Sequence, residues 1–267
     1  MKRGDRVIAT LEGRAADRPP FMPITMQFAA DLISVKYREY ATDHRLLVRG
    51  QLEVARRFGA DCVSAISDPA VEASDVGAPV VFGEDLPPST RESDSLLADK
   101  SRLLGLSIPE AASSPRMSNR LEAVSGLRLA SSGELLVEGW VEGPCAEATD
   151  LRGLNRLMID FFDDPGFVGD LLRFVRELEI PFALAQIGAG ADIIGVGDAA
   201  SSLIGPELFA DYMVEQHRAY VEAIHRAGAK ARLHICGNIA ALLPAIGGLG
   251  YDLVDVDSLV SIAEAWG

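Results

Sequence analysis

ADIIGVGDAASSLIGPELFADYMVEQHRAYVEAIHRAGAKARLHICGN, residues Ala191–Asn238, is the stretch whose reading decides the fold. Its first part, Ala191–Gly197, is a short apolar run that stops at Asp198. A run apolar on both faces reads as a strand buried on both sides, as in a parallel sheet. Pro206–Ala227 follows with helical periodicity and a proline in the first turn, where the missing N–H costs nothing. Ala231–Ile235 is then a second buried strand, which makes the whole a β-then-α-then-β unit with its polar residues at the strand ends.

The same alternation extends outward. Pro19–Thr25 (PPFMPIT) suits a first buried strand, and the helical stretch around Leu46–Phe58 stops at Gly59, a C-cap residue. Ala60–Ser67 reads as a strand closed by Asp68-Pro69. Val80–Gly83 and Leu103–Ser107 are short strands or loop, and Pro87–Asp99 is an exposed polar excursion. Met117–Leu129 is helical, and Glu134–Val141 is a strand ending at Glu142-Gly143-Pro144. Helices are expected at Leu154–Phe162, from Phe167 to about Gly188, at Ile239–Ile246 and from Ser261, with a strand at Leu253–Val256.

Six strands result, several with Asp, Glu, His or Cys at the C-terminal end. That is the layout of a TIM (β/α)8-type barrel, whose chemistry sits at that face. An open doubly wound sheet has similar alternation, but no Gly-rich dinucleotide fingerprint follows the first strand. The expectation is a single α/β barrel domain over residues 1–267, truncated after the sixth strand, with the C-terminal part missing.

Composition bounds the partners. A net charge of −14 and a pI near 4.7 offer no basic footprint for nucleic acid or an anionic membrane. No apolar run reaches the roughly 20 residues that span a bilayer, and Met1–Asp5 does not open a signal peptide. Three cysteines without a pairing pattern fit a reducing cytoplasm.

His234-Ile235-Cys236-Gly237-Asn238 carries the chemistry. Side chains two apart on a strand share a face, so an imidazole and a thiol project together. Such a pair is half of a borderline-soft metal site, with zinc the natural occupant. Gly237-Asn238 then turns the backbone beside the two ligands.

Several segments together carry a resemblance. Asp17-Arg18-Pro19-Pro20, Gly59-Ala60-Asp61 with Ser67-Asp68, the Glu142-Gly143-Pro144 turn, and Gly190–Asp198 through Phe209 resemble the uroporphyrinogen decarboxylase superfamily. Its decarboxylases carry arginines just after the first strand, where this chain reads Met22–Ala30 without any, and the tyrosine after the Gly-Pro turn is absent, since Cys145-Ala146-Glu147-Ala148 follow Pro144. The branch of corrinoid-dependent methyltransferases is similar at Leu233–Asn238. That resemblance implies zinc at His234 and Cys236, with a further cysteine ligand downstream. It also implies a methyl-corrinoid cofactor carried on a partner corrinoid protein, and a thiol or folate acceptor. The alternatives are a uroporphyrinogen decarboxylase-like decarboxylase or a non-catalytic truncated relative.

On this reading Asp198, Asp68 and Glu142 are the candidate catalytic groups, and Gln27, Asn238 and Asp257 the candidate substrate contacts. Asp198 and Asp68 equally suit turn caps. Asp255 and Asp257 share a strand face, and Asp257, nearer the end, is the expected support for the metal. Cys145 is the one substitute ligand, while Cys62 reads as a small apolar residue. His217 and His225 are expected to face solvent, and His44 opens a polar helix.

Overall fold

In the computed structural model, which describes residues 1–266, five parallel strands form one curled sheet. They are β1 (Cys62–Ser64), β2 (Leu136–Glu142), β3 (Ile193–Gly197), β4 (Lys230–His234) and β5 (Leu253–Asp255), paired in chain order. The helices that matter below are α1 (His44–Phe58), α2 (Val71–Val76), α3 (Pro115–Ser131), α4 (Pro144–Arg152), α5 (Leu154–Asp163), α6 (Pro165–Gly188) and α7 (Val214–Arg226).

Parallel register sorts the sheet into two faces, because paired residues point the same way. On one face Val137, Val141, Ile194, Val196 and Ala231 pack with Leu127, Phe182, Tyr220 and Ile224 of the covering helices. The other face carries the polar rows. Trp140 pairs with Gly195, and Gly195 with Arg232; Glu142 pairs with Gly197, Gly197 with His234, and His234 with Asp255. All of the chemistry-bearing strand residues thus share the concave side, and the last row lies at the C-terminal ends.

Several expectations are corrected. Pro19–Thr25 forms no ladder strand, since three prolines remove the donors a ladder needs. It is held at Phe21, whose carbonyl accepts from Asp61 N at 2.8 Å and whose N–H donates to Asp61 Oδ2 at 2.8 Å. The excursion at 87–99 is tied down: Leu97 is fully buried, its N–H donates to Leu151 O, and its own carbonyl accepts from Arg152 Nη1 at 2.5 Å. Leu103–Ser107 is not strand, because Lys100–Gly105 is a 3-10 helix, whereas Val80–Val81 does pair, antiparallel, with Ser89–Thr90.

The helix expected at Pro206–Ala227 is interrupted by a wide turn at Phe209–Met213. Both end residues of that turn are completely buried, so the extra residue lets two large side chains enter the core. His217 is also buried rather than solvent-facing, as described next. His225 is exposed on α7 and bonds Asp252.

Candidate metal centre

His234 and Cys236 converge at the end of β4. The imidazole Nε2 lies 3.1 Å from Cys236 Sγ, and Nδ1 lies 2.8 Å from Asp255 Oδ2. A carboxylate can only accept, so Asp255 keeps the proton on Nδ1 and turns the Nε2 lone pair toward the sulfur. This carboxylate–histidine arrangement is the one that orients a metal-binding imidazole. The Asp255 carboxylate is itself held by Arg232, whose Nε donates at 3.0 Å and whose Nη1 reaches Glu138 Oε1 at 2.9 Å. Burial alone would raise the Asp255 pKa, but His234 and Arg232 outweigh it and hold the carboxyl below its ordinary range.

Trp140 packs over this pair. Its ring centroid is 5.9 Å from that of His234, tilted by 59°. The indole lies where Gly195 and Gly197 leave room: a Cβ on Gly195 would come within 2.3 Å of the ring. The glycines of β3 therefore exist for a close approach, and Trp140 forms one wall of the site. Trp140 Nε1 also reaches Glu142 Oε1 at 3.4 Å.

The donor set fits zinc. An imidazole nitrogen and a thiol sulfur face one another, and a carboxylate sits behind the imidazole. Burial, with Asp257 and Asp255 nearby, pushes the Cys236 thiol up, so a cation is what would make the thiolate favourable. Among the described residues no third ligand atom of His, Cys, Asp or Glu groups with these two. Cys145 is completely buried within the apolar core, and burial, then the nearby Asp198, raises its thiol well above the ordinary range.

The remaining candidates fall in different places. Asn238 Oδ1 accepts from Ala240 N at 3.1 Å and caps the next turn of helix. Asp257 Oδ2 accepts from Gly237 N at 2.9 Å, which holds the turn after Cys236 instead of touching the imidazole. Glu142 is buried in the His234 row, and its pKa is driven well above the usual range by burial and then by Glu72 and Asp150.

Asp198 is enclosed at 0% exposure, with Oδ1 accepting from Ala146 N and Oδ2 from Ser201 Oγ and His217 Nε2. His217 continues to Tyr251, whose hydroxyl is 2.8 Å from Nδ1. A Cβ at Gly143 would come within 2.3 Å of Asp198, so the Gly-Pro turn is where this side chain passes. Asp198 thus bonds β3 to the starts of α4 and α7.

Asp68 is buried and accepts from Arg116 Nη2 at 2.6 Å and Ser67 Oγ at 2.7 Å, and its Oδ1 accepts from Ala70 N at 3.3 Å. Gln27, on the helix Met26–Leu32, donates to Asp31 on the same helix. The Asp17-Arg18 and Ala60-Asp61 segments meet physically, because Arg18 and Arg6 both bond the fully buried Asp61. That cluster is structural and lies at the start of β1.

Sequence reasoning named Asp255 but chose Asp257 as the support, and it did not single out Trp140. The signal for Asp255 was available only as a register, since residues paired across a parallel sheet share a row. For Trp140 the signal was the Gly-x-Gly of β3, legible once β2 is known to lie beside it.

The uroporphyrinogen decarboxylase (URO-D) family model matches residues 2–266. The chain belongs to that family. It is 23% identical over 265 residues to a methylcobamide:CoM methyltransferase, MtaA, of Methanosarcina barkeri, covering 97% of this chain and 76% of that one. A second methylcobamide:CoM methyltransferase, MtbA of Methanosarcina mazei, is 31% identical over 154 residues, 57% of this chain and 45% of the relative. The uroporphyrinogen decarboxylase of Carboxydothermus hydrogenoformans is 21% identical over 268 residues, covering 94% and 74%. Among solved structures, a methyltransferase from Methanosarcina mazei superimposes with a TM-score of 0.87 at 22% identity, over 96% of this chain and 76% of that one. The fold is thus the α/β, TIM-barrel type of that methyltransferase, here with five parallel strands among the described residues. No described helix is long and apolar enough to cross a membrane.

Proposed function

We propose that this protein is a zinc-dependent methyltransferase that takes a methyl group from a methylated corrinoid protein and passes it to a thiol or folate acceptor. The observation that carries this reading is the convergence of His234 Nε2 and Cys236 Sγ with Asp255 fixed on the far side of the imidazole. The relatives named as methylcobamide:CoM methyltransferases support it.

His234 and Cys236 would hold the metal. Bound there, zinc lowers the pKa of an acceptor thiol so that it reacts as a thiolate at neutral pH. The chain's own groups do the rest. Asp255, braced by Arg232, holds the proton on His234 Nδ1. Trp140 shields one side of the imidazole from water and sets its orientation. Asp257 holds the Gly237 turn, which keeps the thiol at the strand end. Glu142, whose carboxyl burial pushes well above the usual range, stands in the same row as His234 as a candidate acid. Binding the acceptor at this concave face, next to a corrinoid presented from outside, turns a bimolecular displacement into an oriented one.

A decarboxylase reading would need cations for a polyanionic substrate. The Met22–Ala30 segment has none, and Arg116 is already engaged by Asp68. Inertness toward uroporphyrinogen is therefore expected.

Zinc content and methyl transfer test the proposal together. The zinc-reconstituted protein is expected to retain the metal and to demethylate methylcobalamin in the presence of a thiol such as coenzyme M, followed by the change in the corrinoid's visible spectrum. His234→Ala and Cys236→Ser should each abolish both. A reconstituted, folded protein that retains no zinc and leaves methylcobalamin unchanged would sink the proposal.

A further inference from the structure

Away from His234 and Cys236, three helices each place one glutamate at a common point. Glu72 comes from α2, Glu147 from α4 and Glu179 from α6, and one oxygen of each lies within 4.8 Å of the others. All three are buried, two of them completely. Glu72 Oε1 accepts from Glu142 N at 3.3 Å. Both oxygens of Glu147 have no hydrogen-bond partner among the described residues, and those of Glu179 have none beyond a carboxyl–carboxyl contact with Glu72.

A second buried group without a partner lies nearby. Tyr220 of α7 is completely buried, its hydroxyl also has no partner, and it lies within electrostatic range of Glu179 and Glu147. The charged neighbours acting on Glu147 and Glu179 are themselves acids: Glu72, Glu142 and, for Glu147, Asp150. A buried carboxylate without donor or counter-charge is costly, and three together are more so.

We propose that Glu72, Glu147 and Glu179 form a second cation site, with the Tyr220 hydroxyl at its edge, that takes a hard divalent cation of the calcium or manganese class. The donors are all oxygen, which selects such ions over zinc. Two oxygens on opposite sides of a calcium ion lie roughly 4.6–5.2 Å apart, twice the usual bond length, so a mutual spread of 4.8 Å encloses one ion. A proton shared between two of the carboxyls would serve one pair and leave the third glutamate unserved. One cation reaches all three. The ion would cross-brace α2, α4 and α6 behind β2, the strand that carries Trp140 and Glu142.

The site stands independently of the zinc reading, and the test separates them. The whole protein is stripped with a chelator, dialysed, and offered Mn2+ or Ca2+ alone, with bound metal counted by emission spectrometry and thermal unfolding recorded. Wild type and Cys236→Ser should both retain about one equivalent of Mn2+, and both should unfold several degrees higher with it. Glu147→Gln and Glu179→Gln should bind Mn2+ at least tenfold more weakly and lose the thermal response. Each removes a buried charge, so the metal-free variants should fold at least as stably as metal-free wild type. Tb3+ offered to the same protein should luminesce on tyrosine excitation, and Tyr220→Phe should cut that signal severalfold while Mn2+ is still retained. Absence of stoichiometric Mn2+ or Ca2+ in Cys236→Ser, or equal retention in the two glutamine variants, would overturn the proposal.

Discussion

At the residue scale the candidate metal pair depends on two supports that do not touch the metal position. Asp255 orients the imidazole, and removing such a partner typically weakens metal affinity 10- to 100-fold. Asp255→Asn is accordingly expected to lower zinc affinity by about that factor, measured by competition with a chromogenic chelator, with the fold intact by circular dichroism. The other support is the Trp140 wall, and it rests on absent side chains. Gly195→Ala would put a Cβ within 2.3 Å of the indole, where neither strand nor ring has room to give. An overpacking loss of about 1–3 kcal/mol in urea unfolding is expected, together with a shifted tryptophan emission. The histidine and cysteine were legible in the sequence as residue types at strand spacing. Their supports were not, because each lies on a different strand and enters the site only through register.

At the element scale the connections do the positioning. α3 is fastened to the loop after β1 by the ion pair of Arg116 with Asp68, both buried, and by Asp75, which accepts from the first N–H groups of the helix. Breaking one side of a buried pair strands the other charge. Asp68→Ala should therefore cost about 3–5 kcal/mol in chemical denaturation, and the double variant Asp68→Ala/Arg116→Met much less than the sum. An equal loss in both would show that the pair contributes through something other than charge.

The five strands from β1 to β5 were legible because each is an apolar run bounded by turn residues. Pro19–Thr25 has the same apolar run without the N–H groups, so composition pointed to a strand that hydrogen bonding forbids. The excursion at 87–99 looked polar, yet Leu96 and Leu97 anchor it under α4 and α5. Two apolar residues in a polar stretch carry no periodicity from which burial can be read.

At the scale of the whole molecule the acidity is partly internal. Asp150 accepts from Thr90 Oγ1, and burial raises its pKa to about 7. Glu142 is raised by the same cause. A carboxyl whose folded pKa lies above its unfolded value gives its full stability at pH below the unfolded pKa. That stability is lost as pH rises through the folded one. The window here runs from about pH 4 to about pH 7. Stability is expected to fall between pH 5 and pH 8, and Asp150→Asn to remove roughly 1–2 kcal/mol of that fall, the value kept low because part of the residue meets solvent. Carboxylates held low by partners, such as Asp255 and Asp252, act in the opposite sense at more acid pH. An unfolding midpoint that is flat from pH 5 to pH 8 in wild type would contradict the expectation.

The sequence by itself determined the alternation of strand and helix, and with it the parallel sheet and the face that holds the chemistry. It also determined the imidazole–thiol pair. These depend on hydrophobic period and on neighbours two or four residues apart, which the chain carries locally. Only the tertiary structure decided which aspartate stands behind His234, that Asp198 and His217 are enclosed, and that Glu72, Glu147 and Glu179 meet. Each is a contact between residues tens of positions apart, set by strand register and helix packing, and no local pattern encodes it.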